Sequence, residues 1–239
     1  MELFYDLHIH SCLSPCGDMD MTPANIVGMA KLKELDVIAL TDHNTCRNCE
    51  AAMKVGEAYG VLVIPGMELT TQEEVHVVCL FPDLPSAIGF DAYVYEKLQK
   101  IKNKPEIFGR QVLMNEDDEE LSEEEYLLIN ATDISFDKVN AAVKKFGGLM
   151  IPAHIDKTSN GLLPTLGFVP DGSDFVCAEV AKREKLPEIL EKFPYFKNCK
   201  IISDSDAHYL ENINERINSI DVEERSIKAV LSALAGKDF

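Results

Sequence analysis

Short apolar runs alternate along the chain with stretches whose apolar positions recur at helical spacing. Residues 4–9, 37–40, 62–65, 75–81, 149–151, 175–180 and 201–202 are rich in β-branched and aromatic side chains and read as buried strands. Between them, Thr22 followed by Pro23 gives an N-cap with proline at the first helical position, opening a helix to about residue 34. Residues 50–59, closed by Gly60, form a second helix, and 86–104 a longer one that stops before Pro105. Ser135 caps a helix to Phe146 with Gly147-Gly148 as its stop, and 186–191 and 226–235 complete the set.

Strand followed by helix, repeated about seven times, argues for a parallel sheet. Polar clusters end most of the apolar runs, which argues that the sheet closes into a barrel with its reactive face at the carboxyl-terminal strand ends. An open doubly wound sheet would need a phosphate-binding glycine loop after an early strand, and none is present. No linker or repeat cuts the chain, so residues 1–239 are expected to form one domain. One segment, 105–132, breaks the rhythm. Its acidic stretches Asn115-Glu116-Asp117-Asp118-Glu119-Glu120 and Glu123-Glu124-Glu125 read as an insertion: a solvated loop and helix start, or else a lid or an excluder of polyanions.

With 41 acidic against 23 basic residues the formal charge is -18, which disfavours long nucleic acid because phosphate contacts want a basic surface. A local basic patch and bound divalent cations can still attract a small phosphorylated substrate. The amino terminus lacks a basic leader and no apolar stretch approaches the ~20 residues of a spanning helix, so a soluble cytoplasmic protein without membrane contact is expected. Seven cysteines, an odd number in a chain this large, fit reduced thiols in the cytoplasm.

The six histidines change the picture most. His8, His10, His43, His76, His154 and His208 all lie in or beside polar clusters that end or interrupt apolar runs, with acidic residues nearby. One such histidine is more often structural; six point to a polynuclear metal site. His8 and His10, two apart on a strand, project from one face. Asp206 and His208 repeat that spacing, and a barrel brings first and last strands together. Glu68, after a strand and a glycine, can bridge two ions. Mixed imidazole and carboxylate ligation suits Zn²⁺, Mn²⁺ or Fe²⁺. A hydroxide bridging two such ions, ionised roughly eight units below bulk water, would be the nucleophile.

These motifs resemble the PHP family of metal-dependent phosphoesterases, named for its polymerase and histidinol phosphatase members. His8-Ile9-His10-Ser11 is similar to the family's first motif, Thr41-Asp42-His43-Asn44 to the second, Ile151-Pro152-Ala153-His154 to the third and Ser205-Asp206-Ala207-His208 to the fourth, in family order and spacing. The resemblance implies an α/β fold, a distorted (β/α)7 barrel, holding two or three divalent ions at its carboxyl-terminal mouth. It assigns His8, His10, Glu68 and Asp206 to one ion, the shared Glu68 with His76 and His154 to a second, and His43 and His208 with one early-loop ligand to a third. Glu68 and Asp206 are thereby the candidate catalytic carboxylates. The early loop departs from the pattern. In many relatives an aspartate comes five residues before the helix-opening proline, which gives Asp18; counting forward from His10 instead reaches Pro15 and Cys16. Asp18 is taken as the ligand, with Cys16 and Asp20 left open.

For substrate phosphate, Lys157 and Arg183 are the candidate cations, and Asp42 and Asp156 can orient ligand imidazoles. Cys12, Cys16, Cys46 and Cys49 lie on loops expected to be neighbours. Reduced thiols without a common partner are the first reading, and a cluster holding an additional structural Zn²⁺ or iron–sulfur centre the second. The function expected is hydrolysis of small phosphoesters. The alternatives are a 3′-5′ nuclease acting on short nucleic acid and a non-catalytic, metal-stabilised interaction module.

Overall fold

The computed structural model describes residues 1–236 and Phe239. Among them the strands are β1 (Glu2–Ile9), β2 (Val37–Leu40), β3 (Leu62–Thr70), β4 (His76–Leu80), β5 (Val112–Met114), β6 (Glu120–Glu123), β7 (Leu149–Pro152), β8 (Cys177–Glu179), β9 (Lys200–Ile202) and β10 (Ser219–Asp221). The α-helices are α1 (Pro23–Leu32), α2 (Cys49–Tyr59), α3 (Leu84–Lys97), α4 (Pro105–Phe108), α5 (Phe136–Lys145), α6 (Leu162–Leu166), α7 (Leu186–Lys192) and α8 (Ile227–Ala235). Side-chain caps start several of them. The Thr22 hydroxyl accepts from Asn25 N–H, Asp83 from Ser86 N–H and Ser226 from Ala229 N–H, each occupying a donor that the first helical turn leaves free.

One sheet runs β10-β1-β2-β3-β4-β7, with β5–β6 and β8–β9 as separate pairs. β1, β2 and β3 are parallel, joined by the crossover helices α1 and α2. β3 then meets β4 antiparallel, and β4 meets β7 antiparallel. Single contacts bring the remaining strand ends round: Ile155 N–H donates to Glu179 O (2.9 Å), and His10 N–H to Ala207 O (3.0 Å). The outcome is an α/β fold with a curled, half-barrel sheet. It departs from a uniform repeat of parallel strand–helix units at one place above all. β3 continues through Glu68 to Thr70, and the five residues before His76 are too few for a crossover, so the chain turns back directly.

Two apolar clusters flank the sheet. One packs Ile38, Leu40, Val63 and Val77 against Ile26 and Val27 of α1, Val55 of α2, Phe90 and Val94 of α3 and Val139 and Val143 of α5. The other joins Tyr5, Leu7, Val37, Ile64 and Ile151 to Val230, Leu231 and Leu234 of α8.

Helix α3 ends at Lys97, short of the expected 104, because Leu98 turns extended and pairs with Thr132 across the base of the insertion. The acidic segment is a hairpin, β5–β6, rather than a loop and helix start. Several of its acids are engaged: Asp118 accepts from the Thr22 hydroxyl and Ala24 N–H, and Glu120 and Glu123 pair with Arg110. No helix among the described residues is long and apolar enough to cross a membrane.

Candidate metal centre

Glu68 is the middle of the site. It lies within β3, not after it, opposite Val78, and is 1% exposed. Five imidazoles surround its carboxylate. Oε1 faces His76 Nδ1 (2.9 Å), His154 Nε2 (3.0 Å) and His8 Nε2 (3.3 Å), while Oε2 faces His43 Nδ1 (3.1 Å) and His10 Nε2 (3.2 Å). Asp206 Oδ1 lies 3.5 Å from His8 Nε2 and 3.3 Å from His10 Nε2.

The histidines arrive from strand ends and are aimed by local irregularities. The β1–β2 register shifts between Asp6 and Ile9, where His8 sits, and such a shift re-aims a strand's side chains. Asn44, His154 and Asp206 have left-handed backbones, with φ of 51°, 29° and 52°. For non-glycine residues this costs on the order of 1–3 kcal/mol each, and such strain collects at functional sites. Asn44 is also a staple: its Nδ2 donates to Leu128 O (2.6 Å) and Asn130 O (2.9 Å), and its Oδ1 accepts from Thr70 N–H. The insertion is thus fastened to the two segments that carry His43 and Glu68.

The outer nitrogens fix how several rings present themselves. His8 Nδ1 pairs with Glu179 Oε2 (2.8 Å), and His208 Nδ1 with Asp206 O (2.8 Å). Ser14 Oγ donates to Asp42 Oδ1 (2.7 Å), so it accepts from His10 Nδ1–H (3.0 Å). With Nδ1 protonated in both, His8 and His10 turn Nε2 lone pairs toward each other at 3.2 Å, beside two carboxylates. Nothing in the protein bonds all these acceptors. Glu68 Oε2, His43 Nδ1 and His154 Nδ1 are buried without a hydrogen-bond partner, a state that costs about 1–3 kcal/mol per group. A converging set of lone pairs and carboxylate oxygens, buried and unsatisfied, fits divalent cations.

Electrostatics agree. Burial alone would lower the His8 and His10 pKa values, but the carboxylates about them overcome it, holding His8 well above the usual range and raising His10 to about 9. Burial would raise Glu68 and Asp206; the histidine charges instead hold both below the usual carboxylate range. His43 is lowered by burial and by the charge on His10, and His208 falls to about 4 for the same reasons. Without cations, the cluster must take protons on some imidazoles to balance its acids. Bound metal ions would replace those protons.

Donor atoms within 4.8 Å of one another form three sets: His8, His10, Glu68 and Asp206; His43, Glu68 and His76; and His10, His43 and His208. His154 joins through Glu68 Oε1. The other expected participants are placed differently. Asp18 is in none of the sets, and its Oδ1 accepts from Asp20 N–H (2.8 Å). Lys157 Nζ bonds Asp206 Oδ2 (2.7 Å) at the mouth of a cleft of about 210 Å³ that Cys16, His43, Glu68, His76, Ile129, His154, Ser159, Asn160, Asp206 and His208 complete. Arg183 is not part of that lining; its guanidinium turns to Asn218 Oδ1 (3.1 Å) because it opens a short 3₁₀ turn after β8. Asp42 acts on His10 through Ser14. Asp156 touches no imidazole and accepts from Ala181 and Lys182 N–H. Glu179, which sequence reasoning passed over, holds His8; its signal was an acid at the end of an apolar run.

The four loop cysteines do not form one donor set, although the thiols of Cys46 and Cys49 neighbour each other. Cys12 packs with Val112 and Met114, Cys49 is buried with its thiol toward Leu40 O and Gly66 O, and Cys16 alone lines the cleft. Among the described residues no cysteine belongs to a donor set.

A model of the PHP domain family matches residues 6–161. An uncharacterised protein of Methanocaldococcus jannaschii is 35% identical over 108 residues, 41% of this chain and 61% of that protein. A 5′-3′ exoribonuclease of Haemophilus influenzae is 34% identical over 79 residues, 32% of this chain and 28% of its own length. Among solved structures, the lesion-specific endonuclease PfuEndoQ from Pyrococcus furiosus superimposes with a TM-score of 0.75 at 19% identity, over 99% of this chain and 56% of that one. The chain therefore spans less than two thirds of each of these proteins, and the structural likeness speaks for the fold alone. The matched segment contains His8, His10, His43, Glu68, His76 and His154, and on that match the chain belongs to the PHP domain family.

Proposed function

We propose that this chain hydrolyses small phosphomonoesters or phosphodiesters with two or three bound divalent ions. The observation that carries the reading is the single buried carboxylate of Glu68 ringed by five imidazoles, with Glu68 Oε2 and His43 Nδ1 left without hydrogen-bond partners. Bound there, Zn²⁺, Mn²⁺ or Fe²⁺ would supply Lewis acidity toward phosphoryl oxygens and make water acidic enough to attack near neutral pH.

The chain's own groups do the rest. Glu68 and Asp206 fix the histidine nitrogens around them, so the centre needs little reorganisation when charge develops on the substrate. Glu179 and Ser14 hold the Nδ1 protons of His8 and His10 and so keep Nε2 aimed inward. The half-exposed ammonium of Lys157 meets an incoming phosphate while Asp206 positions it. Ile129, from the insertion, lines one side of the cleft. At about 210 Å³ the space suits a phosphoryl group and a short ester arm.

A screen of phosphorylated metabolites and short oligonucleotides with Mn²⁺-, Fe²⁺- or Zn²⁺-loaded protein tests the proposal. Turnover of small esters is expected, and loaded protein inert toward every phosphoester would overturn it. A second reading, nucleic-acid cleavage, is favoured by the likeness to PfuEndoQ and the exoribonuclease. Against it stand the charge of -18 and a cleft whose lining includes no lysine or arginine besides Lys157 among the described residues. Efficient degradation of a long single strand at physiological salt would promote this second reading over the first.

A further inference from the structure

The early loop holds the unassigned ligand. We propose that the thiol of Cys16, rather than the carboxylate of Asp18, joins His43 and His208 on one ion. This rests on the metal reading of the cleft.

Placement is the first argument. Two residues before Cys16, Ser14 Oγ bonds His10 Nδ1 (3.0 Å) and accepts from His43 N–H (3.1 Å). Two residues after it, Asp18 N–H donates to His208 O (2.9 Å). The chain on either side of Cys16 is therefore tied to the His10 imidazole and to the backbones of His43 and His208, the three residues of that set. Cys16 lines the cleft with His43 and His208, whereas Asp18 does not, and one carboxylate oxygen of Asp18 is already occupied within its own turn.

The loop is also built to hold this place. A Cβ on Gly17 would lie 2.3 Å from Ser11 O, and one on Gly109 would lie 2.2 Å from Pro15 O. Both positions exclude any larger residue, since the neighbour in each case is backbone. Val112 N–H donates to Cys12 O (2.9 Å), so the insertion clamps the loop from outside. Independently, His43 Nδ1 is buried without a hydrogen-bond partner, and His43 belongs to a set of three imidazoles whose donor atoms lie within 4.8 Å of one another. Cys16 is exposed and its sulfur lies outside the 4.8 Å circle these rings share, so ligation takes a χ1 change that an exposed side chain makes readily.

As the sulfur–metal bond forms, the thiol proton passes to solvent, and no oxidant or reductant is involved. A thiolate beside imidazoles biases the ion toward Zn²⁺ or Fe²⁺ and away from Mn²⁺ and Mg²⁺.

Titration of the full chain with Co²⁺ reads the bond directly. We expect an intense near-ultraviolet sulfur-to-cobalt charge-transfer band, retained in Asp18→Asn and Cys12→Ser and lost in Cys16→Ser along with part of the bound cobalt. Zn²⁺ loading should protect Cys16 from alkylation in peptide mapping. Cobalt uptake without the band, or a band that survives Cys16→Ser, overturns the thiolate ligand and leaves the metal reading standing. No cobalt uptake by the wild-type protein overturns both. Because Cys16 is exposed, the serine variant is expected to fold; Cys16→Asp, which should restore cobalt stoichiometry without the band, covers the case in which it does not.

Discussion

The Asp42 network and the Glu68 cluster are neighbours joined through Ser14, equally buried, and built in opposite ways. Around Asp42, polar groups find partners: Ser11 N–H and the hydroxyls of Ser11 and Ser14 donate to its carboxylate at 2.7 Å, while Asn48 donates to Ser11 Oγ and Val112 O. Around Glu68, carboxylate oxygens and imidazole nitrogens crowd together, and His43, His154 and Glu68 itself keep unpartnered atoms. Protein interiors satisfy their polar groups wherever the chain alone is the solution. A buried cluster left unsatisfied beside a satisfied one marks where something other than the chain completes the structure. The first network ties loops together; the second gathers donors that could hold cations.

The sharpest way to break this contrast is Glu68→Gln. Activity should fall at least ~10²-fold, with loss of bound metal and an unchanged far-ultraviolet spectrum. A folded variant that keeps its turnover would remove Glu68 from the centre.

Asp42→Ala should do the reverse, costing stability first. It strands three buried donors, which adds up to about 3 kcal/mol, read as a lower urea midpoint. A midpoint equal to wild type would show that the network carries no load.

Metal removal sharpens the comparison through pH. In chelated protein His10 is raised from 6.5 to about 9, so its proton contributes stability that is complete below pH 6.5 and is lost as pH rises through 9. Chelated protein should therefore lose about 2 kcal/mol between pH 7 and pH 9, a decline that ions replacing the proton abolish. Parallel pH profiles of loaded and chelated protein would contradict the assignment.

The smallest effect expected is on substrate. Lys157→Ala should lower kcat/KM about tenfold by raising KM, the scale of one charge-assisted hydrogen bond at a partly exposed site. Arg183→Ala should leave it unchanged. Equal effects from both would mean that phosphate is bound outside the cleft.

Several elements were legible before any fold was known, for reasons specific to each. Helices α1, α2 and α5 announce themselves through Thr22-Pro23, Gly60 and Gly147-Gly148, because capping chemistry is local. The β5–β6 hairpin does not, since β6 is acidic and exposed, and its pairing comes from Arg110 and the loops it covers. The direction of β4 is equally silent: an apolar run reads the same in either orientation.

The sequence by itself singled out the histidines and acids that the fold gathers around Glu68, because imidazole and carboxylate at strand ends have few other uses and the spacing of His8 and His10 is covalent. It also determined that the surface is acidic. Only the tertiary structure decided who meets whom. That Glu179 holds His8 from 171 positions away, that Lys157 rather than Arg183 reaches the cleft, and that Cys16 lines it while Asp18 closes a turn all depend on how the sheet curls and where the insertion clamps the first loop. Those contacts are non-local, and each was set by packing and backbone geometry that no short stretch of residues encodes.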